Sequence, residues 1–96
     1  MTDDDRHADA FLAGLDVVGD LWTVLVIREL LVAPADEDAL LDGVPGLHRD
    51  LLLEKLDRLS DQCLVERGRE YRLTTLGHRL CGPLTMLADW GRLNLR

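Results

Sequence analysis

The stretch GLHRDLLLEKLDRLSD, residues 46–61, decides how this chain is read. At 100° per residue, Leu51, Leu52, Leu56 and Leu59 gather on one side of a helix running from about His48 to Ser60. The side directly opposite carries Asp50, Leu53, Glu54, Asp57 and Asp61, while Arg49, Lys55 and Arg58 lie on the flanks. So regular an apolar stripe needs a core to face. The turn GVPG (43–46) leads into this helix and a short hairpin follows it.

That hairpin is LVERGREYRL, residues 64–73. Gly68-Arg69 reads as a two-residue type II′ turn, with glycine where that turn needs it. In this register Leu64, Glu66, Tyr71 and Leu73 share one face, and Arg67 stands opposite Glu70 as a cross-strand ion pair. After it, Leu76, Leu80, Leu84, Leu87 and Trp90 mark the apolar side of a last helix from about Thr75 to Trp90, which Pro83 should bend.

Upstream, Phe11, Leu12, Leu15 and Val18 recur at helical spacing from Ala8 to Val18. Gly19-Asp20 breaks the pattern, and Asp20 can cap the next helix. That next segment, LWTVLVIRELL (21–31), is rich in strand-favouring residues. Its length, the Asp20 cap and the Arg28-Glu29 interruption make it a buried helix, which Pro34 ends. DEDALL (36–41) is a short helix with acids in its first turn, where the helix dipole favours them. Residues 1–7 are expected to be a disordered acidic tail, and 8–96 a single domain.

Composition narrows the function classes. The chain has 96 residues, is 47% hydrophobic and carries four aromatic side chains, so its core must be mostly Leu and Val. The net charge is −7, with eleven acids and two bases in residues 1–47 and the remaining bases in the C-terminal half. The acidic start lacks the basic region of a secretory signal, and the longest apolar run, Leu21 to Ile27, is too short to span a bilayer, so the expectation is a cytoplasmic protein. Cys63 and Cys81 form no CxxC pair, and His7, His48 and His78 show no ligand spacing, so no zinc or other cofactor is expected. Both thiols are expected to be packed and inert. There is no nucleophile-base-orienter set and no Gly-rich phosphate loop, which argues against an enzyme.

Together LDVVGDLWTVLVIRELL (15–31), VPGLHRDLLLEKLDRLSDQCLVER (44–67), YRLTTLGHRL (71–80) and Trp90-Gly91 resemble the HxlR family of bacterial transcription regulators, which is related to MarR. The resemblance spans about residues 9–91. It implies a mainly α winged helix-turn-helix of about five helices with a small hairpin wing, assembled as a homodimer. The first and last helices would form the dimer interface through Phe11, Leu12, Leu15, Leu84, Leu87 and Trp90. The fourth helix would enter the major groove, and the wing would touch the DNA backbone or minor groove. The sequence departs from the family where Leu21 replaces a lysine, Asp36 and Glu37 replace an Arg-Phe pair, and Cys63 replaces a glycine. The wing is also shortened.

Three functional readings follow. A DNA-binding regulator would draw phosphate contacts from Arg49, Lys55, Arg58, Arg67, Arg69 and Arg72. The acids opposite the leucine stripe oppose this, because duplex binding rests largely on bases meeting phosphate. A module repurposed for a protein partner would use Asp50, Leu53, Glu54 and Asp57. A dimer holding a small molecule would use a cleft lined by Trp22 or Trp90, although both tryptophans also fit simple core or interface packing.

Overall fold

Side-chain caps fix where three of the helices begin. The computed structural model describes residues 3–95, with side chains from residue 9 onward. Helix α1 spans Asp3–Val18 and α2 spans Leu21–Val32. Between them the Asp20 carboxylate accepts the Thr23 backbone N–H at 3.1 Å and the Thr23 hydroxyl at 2.7 Å. Helix α3, Glu37–Gly43, is capped by Asp36, which accepts from the Ala39 N–H at 2.9 Å. Helix α4 spans Arg49–Asp61, and strands β1 (Val65–Glu66) and β2 (Arg72–Leu73) form the antiparallel wing. Helix α5, Thr75–His78, starts on Thr74, whose hydroxyl oxygen accepts from the Gly77 N–H at 3.0 Å. Helix α6 spans Cys81–Asn94.

The core lies where α2, α3, α4 and the wing meet. Ile27, Leu30, Leu40, Leu52, Leu56 and Leu59 are fully buried there, with Val65 and Leu73 closing it from the wing. Deleting such a leucine side chain typically costs 2–5 kcal/mol. Leu51 sits at the edge of this core, partly buried. Thr74 also donates its hydroxyl to the Cys63 carbonyl at 2.7 Å. Gly77 lies so close to the start of the wing that a Cβ there would stand 2.2 Å from the Leu64 carbonyl oxygen. The order of elements is that of a winged helix-turn-helix.

Four local expectations change. Helix α1 begins at Asp3, so it takes in residues 3–7 of the expected tail, while Met1 and Thr2 lie outside the described residues. The single last helix is two: α5 ends at His78 and α6 restarts at Cys81, placing Pro83 in a first turn, where its missing N–H costs nothing. The wing register is shifted by one residue, pairing Val65 with Leu73 and Glu66 with Arg72. Gly68 does not adopt a positive φ, so no type II′ turn forms. The observed pairing places Val65 and Leu73 together on the core face, and a one-residue slip would turn one of them to solvent. Tyr71 pairs instead with Ala35, through bonds of 3.0 and 2.8 Å. Finally, neither cysteine is packed: Cys63 and Cys81 are both exposed.

Cys63 adopts φ 61°, the one positive φ among the described non-glycine residues. It closes α4 in the left-handed conformation, which costs a side-chain-bearing residue roughly 1–2 kcal/mol. Cys63→Gly relieves that strain against a smaller entropic loss. The expected outcome is a gain of about 0.5–1 kcal/mol in urea unfolding, with the m-value unchanged.

Candidate nucleic-acid interface

Helix α4 is positioned by the turn that feeds it. Gly46 adopts φ 88°, and a Cβ there would meet the Trp22 ring at 3.4 Å. The turn lays α4 across the core with Leu52, Leu56 and Leu59 inward. Asp50, Glu54, Asp57 and Asp61 are exposed on the far side, with Leu53 half-buried among them. The partner face expected from the sequence is therefore presented outward as one acidic surface.

The flanking cations do not reach outward freely. Arg49 is forked between two carboxylates of α3, meeting Glu37 at 2.5 Å and Asp38 at 2.7 Å. Hydrogen bonds from Asp38 and then Glu37 raise its pKa further above the ordinary arginine value. Lys55 points back to the α1–α2 junction, where its ammonium meets Asp20 at 3.1 Å with the side chain only 14% exposed. Arg58 donates to the Asp16 carboxylate at 2.9 Å and to the Asp16 carbonyl at 3.2 Å. Arg67 pairs with Asp57 of α4 rather than with Glu70. Of the six arginines and lysines expected to touch phosphate, Arg69 and Arg72 are exposed with no ion pair among the described residues.

A polar cleft of about 260 Å³ lies where α3, α4 and the wing approach one another. Asp36, Glu37, Asp38, Arg49, Arg69 and Tyr71 line it, and the Tyr71 hydroxyl donates to Glu37 at 3.4 Å. Sequence reading marked Asp36 and Glu37 as departures from a basic pattern. It did not identify Asp16, Asp20, Glu37 and Asp38 as partners of the cations on α4, because those pairs join residues that lie 11 to 42 positions apart. Acids crowded into the first turn of α3 were the available signal.

The terminal helices carry the remaining candidates. On α1, Phe11 is 67% exposed, with Leu12 and Leu15 beside it in sequence and also exposed. On α6, Leu87 and Trp90 are exposed, and Leu84 is partly buried against the core. Trp22 is half-buried on the core near Gly46. A second cavity, of about 390 Å³, opens between α2 and α6, and neither tryptophan lines it. Its walls are Val24, Arg28 and Leu31 against Leu84, Thr85, Leu87 and Ala88, and the surface they turn into it is almost wholly apolar. No single described helix is long and apolar enough to cross a membrane.

The model of the HxlR-like helix-turn-helix family matches residues 17–96. HTH-type transcriptional regulators of Mycobacterium bovis and Mycobacterium tuberculosis are 31% identical over 85 residues, covering 80% of this chain and 53% of theirs. The chain thus spans about half the length of those curated relatives. Quinone-bound YodB from B. subtilis superposes with a TM-score of 0.84 at 23% identity, covering 88% of this chain and 98% of that one. A MarR-family transcriptional regulator from Enterococcus faecalis V583 superposes with a TM-score of 0.82 at 24% identity, covering 97% and 89%.

The Asp20 pair has a pH signature. The Thr23 hydroxyl hydrogen bond holds the Asp20 carboxyl below its ordinary value; partial burial opposes this and Lys55 assists it. A depressed carboxyl contributes stability that is full above its unfolded pKa, about 4, and lost as pH falls through the folded value. Asp20→Asn is expected to flatten the acid limb of the stability profile below about pH 4, read from urea midpoints across pH.

Proposed function

We propose, from the premise that this chain belongs to the HxlR-like helix-turn-helix family of transcription regulators, that it acts as a cytoplasmic homodimer whose general affinity for DNA is weak. The observation that carries this reading is the pairing of Arg49, Lys55, Arg58 and Arg67 with acids of the same chain. A guanidinium already held by carboxylates releases fewer DNA counterions on binding, and that release drives non-specific affinity. The acids of α4 add like-charge repulsion at the groove. Phosphate contact then falls mainly to Arg69 and Arg72 on the wing.

The dimer part rests on the exposed apolar sides of α1 and α6. Phe11, Leu12, Leu15, Leu87 and Trp90 are too large a set to leave open in a small domain. A two-fold axis would bring these helices of one protomer against those of its partner. Light scattering at micromolar concentration is expected to report twice the chain mass. Phe11→Glu with Leu87→Glu is expected to shift it to the monomer, and a monomeric wild type would remove this part of the reading.

A second reading has one specific support. Leu53 is half-buried among Asp50, Glu54 and Asp57, an apolar residue ringed by acids, which suits a basic protein partner. DNA titration separates the two. Random duplex followed by fluorescence anisotropy is expected to bind weakly at low salt and not measurably at physiological salt. Changing Asp50, Glu54 and Asp57 together to Lys also releases Arg67, and is expected to raise affinity by tenfold or more with the thermal midpoint nearly unchanged. Tight wild-type binding that the triple change abolishes would overturn the weak-affinity reading. No binding by either protein would favour the protein partner.

A further inference from the structure

We propose that the acidic first turn of α3 occupies a phosphate site of its own chain, so that Glu37 and Asp38 compete with a DNA phosphate for the same donors. This rests on the regulator reading and names how that surface is held in check. The place is the polar cleft of about 260 Å³ between α3, α4 and the wing. Three donors line it: the Arg49 guanidinium at the start of α4, the Arg69 side chain at the wing turn and the Tyr71 hydroxyl just before β2. Two of them already hold acceptors from α3. Arg49 is forked between Glu37 at 2.5 Å and Asp38 at 2.7 Å, and Tyr71 donates to the other Glu37 oxygen at 3.4 Å. Neighbouring carboxylates thus offer the arginine fork two anionic oxygens, as a single phosphate does. Arg69 has no ion-pair partner among the described residues.

The pairs of Lys55 and Arg58 differ in kind. Lys55 is 14% exposed and its partner Asp20 caps α2, while Arg58 bonds both the side chain and the carbonyl of Asp16 near the end of α1. Those pairs tie helices together. Glu37 and Asp38 cap nothing: Asp36 is the cap of α3, and α4 starts without a side-chain cap. Arg49 can therefore leave them without loosening a helix end. Its side chain is 49% exposed and that of Asp38 is 82% exposed, so a phosphate reaches the fork directly from solvent. Pairs so open are weakly held. The contact is autoinhibitory, because every phosphate that takes Arg49 must first displace two charges fixed beside it. With those charges removed, Arg49, Arg69 and Tyr71 form one site for a backbone phosphate.

The test is anisotropy titration of a labelled random duplex across a range of salt concentrations. Glu37→Gln with Asp38→Asn keeps the shape and the acceptor oxygens but removes both charges. It is expected to raise affinity at low salt at least fivefold. It is also expected to steepen the fall of log affinity with log salt by about 0.9, the share of one added phosphate contact. Asp9→Asn with Asp42→Asn removes the same charge from exposed residues outside the cleft and is expected to leave the slope unchanged. Arg49→Gln is expected to lower affinity at least fivefold more in the cleft variant than in the wild type, a coupling that simple loss of acidic charge does not produce. Thermal unfolding verifies that each variant folds, and either cleft change made singly is expected to act in the same direction. A slope that the cleft pair changes no more than the control pair does would overturn the proposal. So would an equal effect of Arg49→Gln in both backgrounds, or absence of binding by wild type and cleft variant alike at low salt. Tight wild-type binding at physiological salt, with the slope still steepened by the cleft pair, would defeat the weak-affinity reading and leave the competition at Arg49 standing.

Discussion

The burial of Leu52, Leu56 and Leu59 fixes the rotation of α4, and most of the molecular surface follows from that rotation. These three side chains are sealed against Ile27, Leu30 and Leu40, so turning the helix by even one position would expose leucine and bury a charge. With the stripe held inward, Asp50, Glu54, Asp57 and Asp61 have no choice but to face outward. The acidic character of the outer face of α4 is thus a consequence of core packing.

The same rotation sets the reach of the flanking cations. Lys55 and Arg58 fall on the side of α4 that meets the α1–α2 junction, where Asp20 and Asp16 are waiting. Arg49 falls beside the first turn of α3. The exposed pairs of Arg49 and Arg58 add little stability, typically under about 1 kcal/mol each. Their effect is on the field: charge that would attract phosphate is neutralised within the chain. Asp20 serves twice, as the cap of α2 and as the partner of a Lys55 side chain largely withdrawn from water. It ties the junction of the first two helices directly to α4.

The terminal helices obey a different constraint. α1 touches the rest of the fold mainly through α2, and α6 has no buried residue of its own. Their apolar side chains are what a core would use, placed where this chain has no core to offer. The groove between α2 and α6 is the inner edge of that surplus.

Much of this was legible in the sequence, for reasons that are local. The leucine period of α4, the Asp20 cap, the acids opening α3 and the family motifs each depend on residues within one or two turns, and the fold class followed from their order. The identity of the candidate cations and acids was legible as well. What these residues touch was not. Arg49 finds Glu37 and Asp38, and Arg58 finds Asp16, only after helices far apart in sequence are packed. The wing register was decided by the core too: with Gly68 not in a positive φ, the pairing that buries Val65 with Leu73 prevailed over the two-residue turn. Neither tryptophan marked the apolar groove, since its walls are small and branched side chains brought together from α2 and α6. Local spacing determines which face of an element is apolar; which charges cancel, and which cavities remain, depends on distances between elements that no single stretch of sequence contains.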